Sequence, residues 1–513
     1  MIKDIADLAK PGFVNDQPPM GLAAGGWTDS RNVKYRDGAA EKCSGYVQAF
    51  GGDISVTAIW ASPVSDGTNY FWAYGSNTVM YATDGTTHAN ITGTITLAAT
   101  DDLNYSGGPF HGYLIVNDGA AIPQTWTPGF GNDLVSLTAW PALVTCKVMR
   151  PFKDFLFAFR IIDGSYNPRL MRWSDRAAFG ALPQSWDYAD PTNQAGINEL
   201  GQTQDAIVDG LPLRDSLMIY KENHTWVADY IGTDDIFTFR QVFSNVGMLS
   251  ERCAIAVGSN HLVWTDQDIV LHDGNEAKSI IDKRARKWLF NRINVGKYKR
   301  SYAYADFRER TAYFCFPETG QDWPTLKLCW NWAEDTLHVE QMGGPKTWVE
   351  NGLITNSVTS FDADTGTFDS LGGGFDDENY SPFAGYPLIL DASAKRAYQG
   401  NTGDTFNGTA MVAYAERSGW PLKPSAIDMI HVSRIYPRVM GTTGDVLDFY
   451  FGVRATQGAA VSWRGPYPFT IGVDYKIDLR LTGRLLDFSV ASNNVSNWRL
   501  HGLSFEVEDD GER

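Results

Sequence analysis

A strand-like run that stops at Asp-Gly recurs along this chain, and no other feature restricts its fold as much. "TVMYATDG" (78–85), "GYLIVNDG" (112–119), "DFLFAFRIIDG" (154–164) and "DIVLHDG" (268–274) all end in the pair. The dipeptide occurs eight times, at 37, 66, 84, 118, 163, 209, 273 and 510. A two-residue hairpin of type I′ needs positive φ at both central residues. Gly supplies this without steric cost, and Asp tolerates it by bonding its own backbone. Asp84-Gly85, Asp118-Gly119, Asp163-Gly164 and Asp273-Gly274 are therefore assigned as structural turns. The copies between 37 and 274 predict a recurring hairpin unit, with most of them at strand–strand turns.

A chain of 513 residues exceeds one ordinary core, which predicts two to four domains. Its 50 Gly and 13% aromatic residues suit many short strands joined by tight turns. Strand–turn–strand text fills 55–92, 108–127, 144–187, 204–243, 251–281 and 301–341. "WAYGSNTVMYATDG" (72–85) and "WTDQDIVLHDG" (264–274) share an order: aromatic residue, polar turn, apolar residues, Asp-Gly. Such spacing predicts an all-β chain with a β-propeller-like array over 51–342. One interruption, "DKRARKWLFNRIN" (282–294), places Ala285, Trp288, Leu289 and Ile293 at helical spacing behind Asp282 as N-cap. Residues 1–50 read as an extended arm with the first strands, and 343–424 as a Gly-, Asp- and Thr-rich loop region or insertion. From 425 to 513 strict alternation predicts an antiparallel β-sandwich: Ile477, Leu479 and Leu481 oppose Lys476, Asp478 and Arg480, with a register shift at Gly483.

The eight His are scattered without HExxH, so no zinc site is expected, and neither a GxSxG elbow nor a Walker loop is present. Five Cys without a CxxC pair read as reduced thiols of a protein made in a cytoplasm. The start "MIKDIADLAKPGF" predicts no signal peptide, and no run of about 18 apolar residues predicts a membrane span. The expectation is a protein with no catalytic residue, metal or cofactor. Trp173, Trp186, Trp264 and Trp288 sit in strand or helix patterns and read as core rather than as sugar-stacking platforms. A net charge of −17 opposes tight binding to phosphates. Against it stands a basic segment, Lys283, Arg284, Arg286, Lys287, Arg292, Lys297, Lys299 and Arg300, read either as a docking surface or as a solvated helix face.

Several stretches together resemble the tail nozzle or tail-hub proteins of short-tailed (podovirus-type) bacteriophages and related prophages. They are "RNVKYRDGAAEKCSGY" (31–46), "VMRPFKDFLFAF" (148–159), "LMRWSDRAAFGALPQSWD" (170–187), "GLPLRDSLMIYKENHTWVADYIG" (210–232), "FTFRQVFSNVGMLSERCAIAVGSNHLVWTDQDIVLHDG" (237–274), "IYPRVMG" (435–441) and "LTGRLLDF" (481–488). The similarity is densest over about 150–300, and Cys43 departs from the apolar residue or Pro the family often carries before "GY". The resemblance implies a virion structural protein, made in the host cytoplasm and forming a hexameric ring below the portal and adaptor. It also implies contacts with tail fibre or needle proteins, and genomic DNA passing through an acidic channel without tight binding. The resemblance brings no active-site residue with it. The alternative from the sequence alone is a carbohydrate-binding or carbohydrate-active tail propeller, and a cellular interaction propeller lacks WD-type repeats.

Overall fold

The computed structural model describes residues 2–102, 105–232, 236–354, 385–421, 429–456, 458–492 and 497–509. Five antiparallel four-stranded sheets follow one another, with strands over 60–90, 106–136, 144–199, 207–243 and 254–279, and a sixth four-stranded unit over 302–341 is continuous with a larger sheet. A seventh unit is assembled from Lys346–Gly352, Tyr386–Asp391 and Ala397–Gly400, then Tyr46–Gln48 from the beginning of the chain, with the short strands Thr405–Phe406 and Thr409–Ala410 beyond it. The first strand of each sheet packs against the first strand of the next, and the seventh returns to the first. The result is a seven-bladed β-propeller whose innermost strands surround one axis. Closing the ring with strands from both ends of the array removes the open edges that a linear row would leave.

The last part of the chain forms a sandwich. One sheet orders Asp29–Arg31, Ala413–Pro421, Leu485–Ser492, Val446–Arg454 and Ser462–Thr470. The other holds Trp498–Asp509, Ile430–Gly441 and Ile477–Gly483, with Ile2–Ile5 and Ala39–Lys42 paired along Trp498–Asp509. Alternation holds over 477–481, where Ile477, Leu479 and Leu481 are buried while Asp478 and Arg480 are exposed, and it lapses over Leu485–Phe488, all of which are buried. Gly483 is no register shift, however. It marks where the chain leaves one sheet for the other, and a Cβ there would lie 2.6 Å from Val453.

Two boundaries change. The N-terminal segment is built into both halves: Val33–Arg36 joins blade six at Val33↔Val339, and its hairpin partner Ala39–Lys42 joins the sandwich. One twelve-stranded sheet therefore runs from the propeller into the sandwich. Glu309 of blade six pairs with Lys34 and Arg36 at 2.8 Å each across that junction. Buried Trp27 donates its indole N–H to the Leu8 carbonyl and packs on Tyr35 and Phe488. The stretch 343–424 is likewise no insertion, because the described part of it supplies blade seven and a sandwich strand. Local sequence does not mark these strands, because most are two to seven residues long and several find partners hundreds of residues away. Residues 355–384, expected as part of that loop region or insertion, lie outside the described residues.

Six of the seven Asp-Gly pairs between 37 and 274 sit at strand–strand turns with Gly at positive φ. Only Asp37-Gly38 has positive φ at both residues (49° and 73°), as a type I′ turn requires. At Asp66, Asp84, Asp118 and Asp273 the carboxylate instead accepts the backbone N–H groups two and three residues on. Those are Asx turns, in which Gly supplies the left-handed φ of the second position. Asp163-Gly164 closes a one-residue connection between long strands. Asp209-Gly210 differs: it lies inside an inner strand, Ile207–Leu213.

The expected helix exists as Arg286–Phe290. Asp282 does not cap it. The carboxylate of Asp16 accepts the N–H groups of Lys287 (2.7 Å) and Trp288 (3.2 Å), while the Asn15 and Asp16 N–H groups bond the Arg284 carbonyl. The cap thus comes from a segment 271 residues away, which local sequence spacing does not reveal.

Candidate functional site

The displaced Asp209 leads to the propeller axis. It is 4% exposed and forms a bidentate pair with Arg150 of the blade-three inner strand, Nε–Oδ1 2.7 Å and Nη2–Oδ2 2.8 Å. Its Oδ2 also accepts the Arg252 N–H at 3.1 Å. Arg252 in turn reaches Glu350 of blade seven, and Arg160 pairs with Glu251. Three cations and three carboxylates from blades three, four and seven and from the segment leading into blade five thus form a charge-balanced lattice. Burial opposes ionisation of Asp209, but the Arg150 guanidinium outweighs it and holds the carboxyl below its ordinary value. Burial dominates at Glu251 and Glu350, which are pushed up, and at Arg252, which is lowered to about 10.

On one side of this lattice a cavity of about 460 Å³ opens along the axis. Gly108, Gly210, Ala254, Ala256, Ala303 and Ala305 of the inner strands form part of its wall. A Cβ added at Gly108 would meet nothing within 4 Å, so that position faces open space. Arg252 Nη1 and Asn351 Oδ1 are buried away from the cavity without a hydrogen-bond partner, and the Arg252 guanidinium lies over the Trp348 ring. On the other side of the lattice a second cavity of about 560 Å³ lies beside Phe290, Ile293, Val295, Tyr298 and Lys299. The Arg160–Glu251 pair lines that one, whereas Arg150, Asp209, Arg252 and Glu350 line the first. The lattice separates the two openings.

The basic segment does not act as one patch. Arg284 is a structural tie, bonding Asp335 Oδ1 at 2.8 Å, the Asp335 carbonyl at 2.6 Å and the Pro11 carbonyl at 3.1 Å. Arg300 is paired with Asp101 and Asp102. Arg286 bonds the Gln267 carbonyl, Arg292 lies over Trp288 near Glu318, and Lys297 faces Asp322. Lys283, Lys287 and Lys299 are the exposed lysines of the set, with no ion pair among the described residues. The expectation that Arg284 faces a neighbour is corrected: its guanidinium is spent inside the chain.

One cluster has metal-ligand chemistry. Cys43, His338 and Glu340 are buried with their ligand atoms within 4.8 Å of one another, between blades six and seven. Glu340 is already engaged, by His338 Nε2 at 2.9 Å and by Lys327 Nζ at 2.6 Å. Burial alone would raise this carboxyl, but the Lys327 ammonium holds it well below its ordinary value. A cation would have to displace that ammonium, so the residues form a structural ion pair and do not suit a metal. Fourteen of the 17 Trp are buried, including Trp173, Trp186, Trp264 and Trp288, and Trp463 is the exposed one at 38%. That leaves little indole surface for stacking on sugars.

No family model matches the chain, and no curated protein does either. Solved structures with a similar course include the N-terminal domain of BBS1 in complex with ARL6 (TM-score 0.39, 10% identity, 70% of this chain and 96% of that one). The WD40 β-propeller domain of Doa1 follows at TM-score 0.33, 9% identity and coverage of 60% and 90%. PorZ, a surface component of the type-IX secretion system of Porphyromonas gingivalis, gives 0.34, 10%, and coverage of 77% of this chain and 44% of that one.

Proposed function

We propose that the chain is a non-catalytic structural subunit of the tail nozzle or hub of a short-tailed bacteriophage, acting as a ring-forming platform. The observation that carries the reading is the twelve-stranded sheet shared by propeller and sandwich, which makes one stiff body of two modules. A subunit that transmits load between tail components needs such a weld. The stretches resembling the tail family include the inner strands of blades three and four, where the axial lattice is anchored. Because that lattice fills the propeller axis, DNA would pass between subunits of a ring and not through one propeller. Net negative charge on the walls would keep a polyanion from adhering.

The test is assembly. Mass photometry of the purified chain, alone and with its adaptor, should show a closed ring, and Lys283→Glu with Lys287→Glu and Lys299→Glu should weaken it while the monomer stays folded. These lysines replace Arg284 as the informative positions, since reversing Arg284 would break an internal tie. A chain that remains monomeric under both conditions overturns the reading.

A further inference from the structure

We propose that copies of this chain bind one another head to tail, with Phe179 of one copy entering the second cavity, beside Phe290, of the next. This rests on the ring reading and names the contact that would build the ring.

Knob and hole lie on opposite faces of the propeller. Residues 174–195 join the third and fourth strands of blade three on the face where the inner strands end, and the Ala177 N–H donates there to the Asp154 carbonyl. The cavity of about 560 Å³ is bounded by Glu222 and Asp266, in the turns between strands two and three of blades four and five, and by the connection carrying Phe290 and Val295. Those segments lie on the face where the inner strands begin. A contact between two different surfaces is heterologous, and it gives a ring when its rotation closes.

Three observations match the surfaces. The first is rigidity. Ala177 and Trp186 are buried, the Asp175 carboxylate accepts the N–H groups of Arg176 and Gln194, and Asn193 donates to Ser185 Oγ and the Asp187 carbonyl. The loop so held leaves Phe179 95% exposed and Tyr188 51% exposed. Aromatic side chains on an ordered segment lose little entropy on docking and anchor interfaces. The second is the hole. Leu249, Phe290, Val295 and Tyr298 line it and keep accessible surface, and its volume falls within the range of about 300–1,000 Å³ that admits small ligands. The third is charge. Asp187 and Asp190 of the loop are exposed and make no ion pair among the described residues. Lys299 on the cavity wall, and Lys283 and Lys287 around the helix that carries Phe290, are their counterparts. Glu222 and Asp266 also line the cavity, and Arg176, three residues before Phe179 and 58% exposed, offers them a cation. Opposite charges on the two surfaces fix register.

Disulfide trapping in the full chain is the test. All five native cysteines are buried, so Phe179→Cys and Val295→Cys supply the accessible thiols. Mixed and oxidised, the two single variants should give a linked pair that neither gives alone. Phe179→Asp should raise the concentration at which rings form by about tenfold or more in mass photometry, with the monomer's circular dichroism unchanged. If rings form but the mixed variants do not link, or if Phe179→Asp assembles like the unmodified chain, this contact is overturned while the ring reading stands. If the unmodified chain stays monomeric with and without its adaptor, the ring reading falls and the contact falls with it. If Phe179→Asp leaves rings intact and abolishes adaptor binding, the second copy is the wrong partner.

Discussion

Asp84-Gly85 and Asp209-Gly210 are the same two residues in different parts of a blade, and they do different work. At 84 the pair lies between the two outer strands of blade one, where the carboxylate collects the N–H groups of Thr86 and Thr87 and Gly85 takes φ +98°. At 209 it lies in the inner strand of blade four. There the carboxylate is the counter-ion of Arg150, and Gly210 is needed because a Cβ would lie 2.9 Å from the Phe159 ring of blade three. A dipeptide specifies a turn where the strand is ending and solvent is near. Within an inner strand the neighbouring blades decide its role. The comparison can be broken or sharpened by substitution and by pH.

The largest expected effect is at the axis. Asp209→Ala leaves Arg150 buried without its carboxylate and removes the acceptor of the Arg252 N–H, which should cost about 3–5 kcal/mol. Urea denaturation with an unchanged m-value is the measurement. A loss no larger than that of a surface turn would show that the lattice is screened by solvent and that the axis is not closed.

A second effect concerns the Asp273-Gly274 turn, which is tied to a buried hydrogen-bonded chain. Gly274 N–H donates to His272 Nδ1, so His272 Nε2 carries the proton and donates to the Tyr220 hydroxyl. Tyr220 then donates to His261 Nδ1, and His261 Nε2–H donates to the Pro212 carbonyl. Every position is used, and neither ring has room for a second proton. Burial lowers both histidines from 6.5 to about 4. The unfolded chain therefore binds more protons between these values. Stability should fall as pH drops from 6.5 towards 4, by about 3 kcal/mol for the first proton. His261→Gln or His272→Gln should flatten that slope. A slope unchanged in both variants assigns the acid sensitivity to other groups.

Much of this architecture was legible before the structure. Hairpin spacing and the alternation over 477–481 require only neighbours in sequence, and both hold. What stayed hidden depends on partners far apart: Asp16 capping a helix at 286, Tyr46–Gln48 closing blade seven, Val33–Arg36 joining blade six. The axial lattice was hidden for the same reason, since Arg150 and Asp209 are 59 residues apart and Arg252 and Glu350 are 98. One local signal existed. Arg150 interrupts the apolar run "VMRPF", and a charged residue in a stretch otherwise suited to the interior needs a buried partner.

The smallest effect separates the two uses of Asp-Gly most cleanly. Asp84 works as an acceptor for backbone N–H groups, and an amide oxygen accepts as well as a carboxylate in that geometry. Asp84→Ala should therefore cost about 1 kcal/mol, the usual range for a lost cap, while Asp84→Asn should retain most of it. At 209 the same pair of substitutions should behave differently. Asn has no charge to offer Arg150 and presents an NH₂ where a second oxygen is required, so Asp209→Asn should lose nearly as much as Asp209→Ala. Thermal melts of the four variants decide between cap and counter-ion. Should Asn fail at 84 as it does at 209, the turn carboxylate is acting through its charge, and the distinction between the two copies disappears.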